Sequence, residues 1–169
     1  MELRAVIPTD SGMHVLWDRA HFAGVVDYGT WEQQLLDNVD IERHIASGHL
    51  VPINIHSDGA FAFTVRIDPS ETPELSPDER DRVVVQSDGY RFVSRGSADL
   101  SGLEYVVGDV AADGRVASVR LSPGEYEVRS HLMDYDDVAT KTDVHPDFII
   151  AVGPPSGVEY RLSVDTFNG

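Results

Sequence analysis

The feature that most constrains the fold of this chain is alternation with a period of two. Val51, Ile53 and Ile55 alternate with Pro52, Asn54 and His56. Beyond Ser57-Asp58-Gly59, Phe61, Phe63, Val65 and Ile67 are separated by Ala62, Thr64 and Arg66. Successive side chains of a strand point to opposite faces, so the pattern spells strands with one buried face. Asp-Gly is a favoured tight turn, and the two runs read as a hairpin. Val83 to Val85, Ser87-Asp88-Gly89 and Tyr90 to Val93 read as a second hairpin.

More strands are expected on either side. Leu3 to Ile7 and Met13 to Trp17 are short candidates near the N-terminus. Leu103, Tyr105 and Val107 alternate, and Val116 to Leu121 lies between Asp113-Gly114 and Ser122-Pro123-Gly124. Tyr126, Val128 and Leu132 then share a face opposite Glu125, Glu127, Arg129 and His131. Phe148 to Val152 is continuously apolar, as a strand covered on both faces should be. Val158, Tyr160, Leu162 and Val164 alternate with polar residues and predict a last strand with one wet face.

One helix interrupts this pattern. Thr30 with Gln33 makes a capping box, and Trp31, Leu35, Leu36, Val39, Ile45 and Ala46 make a broad apolar stripe. Gly48 suits the left-handed residue that ends a helix. The expected fold is mainly β: a two-layer antiparallel β-sandwich or open barrel of about ten strands with one long α-helix packed on it. A chain of 169 residues suits a single domain spanning 1–169. Acidic loops are expected at 68–81, with Pro69, Pro73 and Pro77, and at 133–147, with Asp134, Asp136, Asp137 and Asp143.

Charge constrains the partners. Asp and Glu number 29 against 13 Lys and Arg, a formal net charge of −16. Such a surface repels nucleic acid and anionic membrane and attracts basic partners. The cations are one lysine, Lys141, and twelve arginines. An excess of surface acid also keeps proteins soluble in brine, so salt adaptation is an alternative source of the charge. There is no cysteine, which excludes disulfides, thiolate nucleophiles and Cys-type zinc sites. No basic segment followed by an apolar core opens the chain, and no apolar run approaches the ~18 residues of a membrane span. The expected location is cytoplasmic.

Catalytic signatures are missing. The seven histidines include no His-x-His pair and no His-Glu-x-x-His, and they read as dispersed surface or turn residues. Neither a Gly-x-Ser-x-Gly elbow nor a Gly-rich phosphate loop occurs. Asp134-Tyr135-Asp136-Asp137 is the densest acidic cluster, but it lacks the glycine and the closing glutamate of an EF-hand. No metal or cofactor is expected. The cluster reads as an acidic hook for a basic partner, with Tyr135 as an aromatic anchor and Glu125 and Glu127 as further contacts.

The segment Val119-Arg120-Leu121-Ser122-Pro123-Gly124-Glu125-Tyr126-Glu127-Val128 carries a resemblance. Together with the strand–turn–strand before it, the helix from Trp31 and the strand ending Val65-Arg66-Ile67, it resembles the competence-J-like nuclease inhibitors. These are small acidic β-rich bacterial proteins, and similar domains serve as immunity proteins in toxin systems. The resemblance spans residues 13–152 at the level of pattern. It implies a non-enzymatic protein that inhibits a basic partner, a nuclease or nuclease toxin. A small β-sandwich enzyme, a metal-binding protein and a salt-adapted general binding domain are the alternatives that the residues leave open.

Overall fold

The computed structural model describes residues 1–110, 113–138 and 145–167. Lys141 and Asp143, noted above for their charge, lie outside the described residues. Among the described residues ten strands form two sheets. The larger contains β1 (Glu2–Thr9), β4 (Gly59–Ile67), β10 (Phe148–Gly153), β9 (Gly124–Met133) and β5 (Val83–Gln86), in that spatial order, and β6 (Tyr90–Ser94) also pairs with β9. The smaller runs β3 (Leu50–Asn54), β2 (Met13–Trp17), β7 (Ser97–Gly102), β8 (Ala117–Arg120). Strand pairing is antiparallel except between β10 and β4, where Phe148 lies beside Phe63 in parallel register. The larger sheet is therefore mixed and the smaller wholly antiparallel, and neither closes into a barrel.

The core between the layers follows the alternation. Ile7, Phe63, Val65, Phe92, Val128, Phe148 and Ile150 of the larger sheet join Val15, Trp17, Ile53 and Leu100 of the smaller in one buried cluster. Phe63 and Phe148 stack across the parallel pair with centroids 5.0 Å apart. Strand β10 is buried along its whole length, as its continuous apolar run requires. Its outward residue Ile149 is covered by Met133 and Tyr135, with Leu75, Val83 and Val138 packed around them. Both acidic loops thus contribute apolar side chains to a second, smaller core.

The hairpin expectations fail, each for a physical reason. β3 and β4 belong to different sheets. Pro52 interrupts the donors of β3, and the C-terminal segment occupies that edge. Thr166 Oγ1 donates to Pro52 O at 2.7 Å and accepts from Asn54 N at 2.9 Å. Ser57-Asp58-Gly59 carries the chain from one layer to the other instead. Strands β5 and β6 do not pair with each other either; both lie along β9. Between them, Ser87 N donates to Ser130 O and Ser130 N donates to Ser87 Oγ, each at 2.9 Å. A Cβ at Gly89 would meet Glu127 Oε1 at 2.8 Å, so a larger residue there would displace that carboxylate.

The long helix is two. α1 (Tyr28–Leu35) starts at Asp27, which forms the capping box with Thr30, so the true cap lies three residues before the expected one. α2 (Asn38–Ala46) follows after a break at Leu36 and Asp37. Asp37 makes no side-chain cap bond; its backbone O accepts from Asp40 N and Ile41 N to restart the helix. The break rotates the stripe. Leu35, Ile41 and Ile45 are buried, whereas Leu36 and Val39 are exposed. Gly48 takes the expected left-handed conformation, φ 76°. A third helix, α3 (Pro77–Asp81), lies within the first acidic loop and is capped reciprocally by Ser76 and Glu79.

Two more expectations are corrected. Leu103–Tyr105 is a 3-10 turn after β7. The segment from Val158 to Val164 forms no strand, because its polar groups bond across the molecule. Arg161 N donates to Gly89 O at 2.9 Å, and Tyr90 Oη donates to Ser163 O at 2.8 Å. Among the described residues no helix is long and apolar enough to cross a membrane.

Candidate functional site

The acidic cluster at the end of β9 is built on a packed base. Asp134 N donates to Arg82 O at 2.9 Å, which ties the loop to the start of β5. Asp136 N donates to Asp134 Oδ1 at 2.9 Å, an Asx turn that bends the loop outward. Val138 N donates to Tyr135 O at 3.0 Å and closes the following turn. The alternation of acid and apolar residues then sends Asp134, Asp136 and Asp137 into solvent and Tyr135 inward.

Tyr135 corrects the sequence reading. It is only 6% exposed, packed against Met133 and Ile149, so its ring supports the loop from beneath. Arg82 lies over that ring with its guanidinium carbon 4.8 Å from the centroid. The same guanidinium donates to Asp137 from Nη1 at 2.5 Å and from Nη2 at 3.3 Å, and lies 3.7 Å from Asp78. Its hydrogen bond with Asp137 holds that carboxyl below the usual carboxylate range and raises the arginine.

Helix α3 brings in two carboxylates that the sequence did not single out. Asp78 and Asp81 line one groove with Arg82, Val83, Val84, Asp134, Asp136 and Asp137, of about 470 Å³. Five aspartates face a single arginine there. Val84 is 61% exposed and supplies an apolar patch between them. The capping signature Ser76-Pro77-x-Glu79 was the signal for this helix, but nothing local says that it ends beside residue 134.

Glu125 and Glu127 sit at the opposite end of β9 and do not reach this groove. Glu125 is exposed, within 3.3 Å of Arg91 and 3.4 Å of Tyr160. Glu127 is buried. It accepts from Arg129 Nε at 2.9 Å and from Ser156 N at 3.1 Å, with a further short hydrogen bond from Ser156 Oγ. It fastens the segment after β10 to the sheet and is a structural carboxylate, not a surface contact.

The histidines are only partly dispersed: His56 is exposed at a turn, but three others gather. His14 and His131 are buried and bond to the backbone carbonyls of Ile7 and Ile149 at 2.8 and 3.0 Å. His21, His44 and His49 gather where α2 meets β6. His21 and His49 stack with centroids 4.2 Å apart, and the Nδ1 atoms of His44 and His49 are 3.0 Å apart. Burial, together with its imidazole neighbours, pushes His49 down to about 4. Among the described residues no group of three or more His, Asp or Glu side chains is arranged to hold a metal.

No protein-family model matches this sequence, and neither does any curated protein. Among solved structures, the chain is similar to crocagin biosynthetic gene J, at 19% identity and a TM-score of 0.57. That match covers 91% of this chain and 98% of the other. It is also similar to ComJ from Bacillus subtilis, an inhibitor of the DNA-degrading activity of NucA. There the identity is 10% and the TM-score 0.48, with 92% of this chain and 96% of that one covered. ComJ, whose family the Val119–Val128 segment resembles, thus stands among the structural neighbours. The likeness to the crocagin protein shows a shared fold.

Proposed function

We propose that this chain is a non-enzymatic protein that binds and inhibits a basic protein, a nuclease or nuclease toxin. The observation that carries this reading is the convergence of Asp78, Asp81, Asp134, Asp136 and Asp137 on one open groove around Arg82. A nuclease presents a cationic surface to the phosphates of its substrate. A row of carboxylates held at a groove imitates that polyanion, and the net charge of −16 steers the encounter over long range. Charges at a rim govern rate and specificity more than affinity, so an anchor is needed. The exposed Val84 and the aliphatic stem of Arg82 serve as that anchor. Tyr135 holds the loop in shape from below, and Glu125 is a secondary contact. The resemblance of Val119–Val128 to the competence-J-like inhibitors supports the same reading.

The test is capture from a lysate of the source organism on the immobilised protein, with release by salt and assay of the released protein for nuclease activity. A basic protein whose nuclease activity falls when this chain is added is the expected result. The combined variant Asp134→Asn, Asp136→Asn, Asp137→Asn should release that protein at lower salt and bind it at least tenfold more weakly, each tenfold being about 1.4 kcal/mol. Equal retention by the variant, or a captured protein whose nuclease activity is unaffected, overturns the proposal.

A further inference from the structure

Among the described residues an arginine covers a tyrosine twice, each time with a carboxylate beside the guanidinium. Arg82 lies 4.8 Å above Tyr135 and pairs with Asp137. Arg115 lies 4.8 Å above Tyr105 and pairs with Asp113. In both cases the cation meets the negative face of a ring on one side and a carboxylate on the other.

A third site has the ring and the carboxylates but no cation. Tyr28 and Trp31 of α1 stack nearly parallel, with centroids 5.9 Å apart and planes inclined by 18°. With Val25, Asp27, Glu104, Val106 and Val107 they line a groove of about 270 Å³ that, among the described residues, contains no basic one. Trp31 is fixed by its Nε1, which donates to Leu103 O at 3.0 Å. Tyr28 is 69% exposed. Glu104 is held by Thr9 Oγ1 and Asp10 N, both at 2.9 Å, and Asp27 by Thr30 N at 2.9 Å. The carboxylates at this groove are therefore placed before anything binds, so little is lost in ordering them.

We propose that the Tyr28–Trp31 groove receives an arginine side chain of the basic partner, its guanidinium stacked on the rings and facing Asp27 and Glu104. Arginine suits the groove better than lysine, because a planar guanidinium stacks on aromatic faces while its edge donates to carboxylates. The apolar walls at Val25, Val106 and Val107 fit the aliphatic stem. This inference rests on the reading of the chain as a binder of a basic protein. It names a second contact, at α1 and the turn after β7, apart from the aspartate groove at α3 and β5.

The experiment is a titration of the isotopically labelled protein with hexa-arginine amide, followed by amide and indole chemical shifts. Hexa-citrulline amide serves as the neutral control. Saturable shifts at the Trp31 indole and the amides of Val106 and Val107 are expected. Tyr28→Ala, a change at an exposed position, should weaken binding about tenfold at this groove. The Asp134, Asp136, Asp137 triple variant should leave these shifts in place. Equal shifts with the citrulline peptide would show an apolar pocket with no preference for a cation, and would overturn the inference. So would binding unchanged by Tyr28→Ala, or shifts confined to residues 78–84 and 134–138. That last result would leave the aspartate groove intact as the partner site, whereas loss of nuclease capture with these shifts preserved would break the inhibitor reading alone.

Discussion

Aspartate meets arginine in two regions of this molecule under opposite conditions. In the smaller sheet, Asp99 on β7 is 0% exposed. It accepts from Arg19 Nη2 at 2.7 Å and Nε at 3.2 Å, and from Ser118 Oγ at 2.6 Å. At the acidic groove, Asp137 pairs with Arg82 at 2.5 Å but its side chain is 71% exposed. The residue types are the same, and solvent makes the difference. A buried carboxylate loses hydration worth several kcal/mol and persists only when several donors replace the water. An exposed pair gains little and is screened by salt. The first therefore holds β7, β8 and the turn after β2 together, while the second leaves its carboxylate largely in solvent.

The sharpest way to break this contrast is Asp99→Ala. It strips the Arg19 guanidinium and Ser118 of their shared acceptor, and unfolding free energy should fall by about 3 kcal/mol, read from urea denaturation. A loss below about 1 kcal/mol would place Asp99 with the surface pairs.

Acid separates the two regions next. His49 is held near 4 against an ordinary value of 6.5, by burial first and then by His21 and His44. His14, His44 and His131 are shifted down as well, each mainly by burial. A base whose pKa is depressed by folding binds fewer protons folded than unfolded. Its contribution is complete above 6.5 and is lost progressively as the pH falls toward 4. The melting temperature should drop across that window while Asp137, held low by Arg82, stays ionised. His49→Asn should flatten the drop. A melting temperature constant across the window would show that these imidazoles charge freely in the fold.

The smallest effect is expected at the groove itself. The Asp134→Asn, Asp136→Asn, Asp137→Asn variant keeps acceptors for the Asx turn and should alter stability by no more than about 0.5 kcal/mol. Thermal unfolding beside wild type checks it. A loss approaching that of Asp99→Ala would make the loop carboxylates structural and remove the basis of the contrast.

How much of this was legible in the chain depends on how local each feature is. Alternation located β3, β4, β6 and β9, and the unbroken run at Phe148 located the strand covered on both faces. The Asp134–Asp137 cluster stood out as acid, and three of its four residues do face solvent. Pairing was illegible. Ser57-Asp58-Gly59 and Ser87-Asp88-Gly89 have hairpin chemistry, yet one crosses between sheets and the other interrupts a single edge beside β9. The burial of Tyr135 was hidden too, because the residues packed with it and Ile149 come from positions 75 and 83 as well as from its own loop.

The amino-acid sequence by itself determined the strands whose alternation is unbroken, the fully covered run at Phe148, the stop of α2 at Gly48, and the net charge of −16. These follow from side-chain chemistry at one position and its near neighbours. Only the tertiary structure decided which strands became partners, that Thr166 closes the edge beside Pro52, that Glu127 and Tyr135 turn inward, and that α3 delivers Asp78 and Asp81 to the groove of Asp134–Asp137. The physical reason is that alternation specifies the buried face of a strand and leaves its edges open. The edges and the loops are settled by long-range competition for hydrogen bonds and apolar cover.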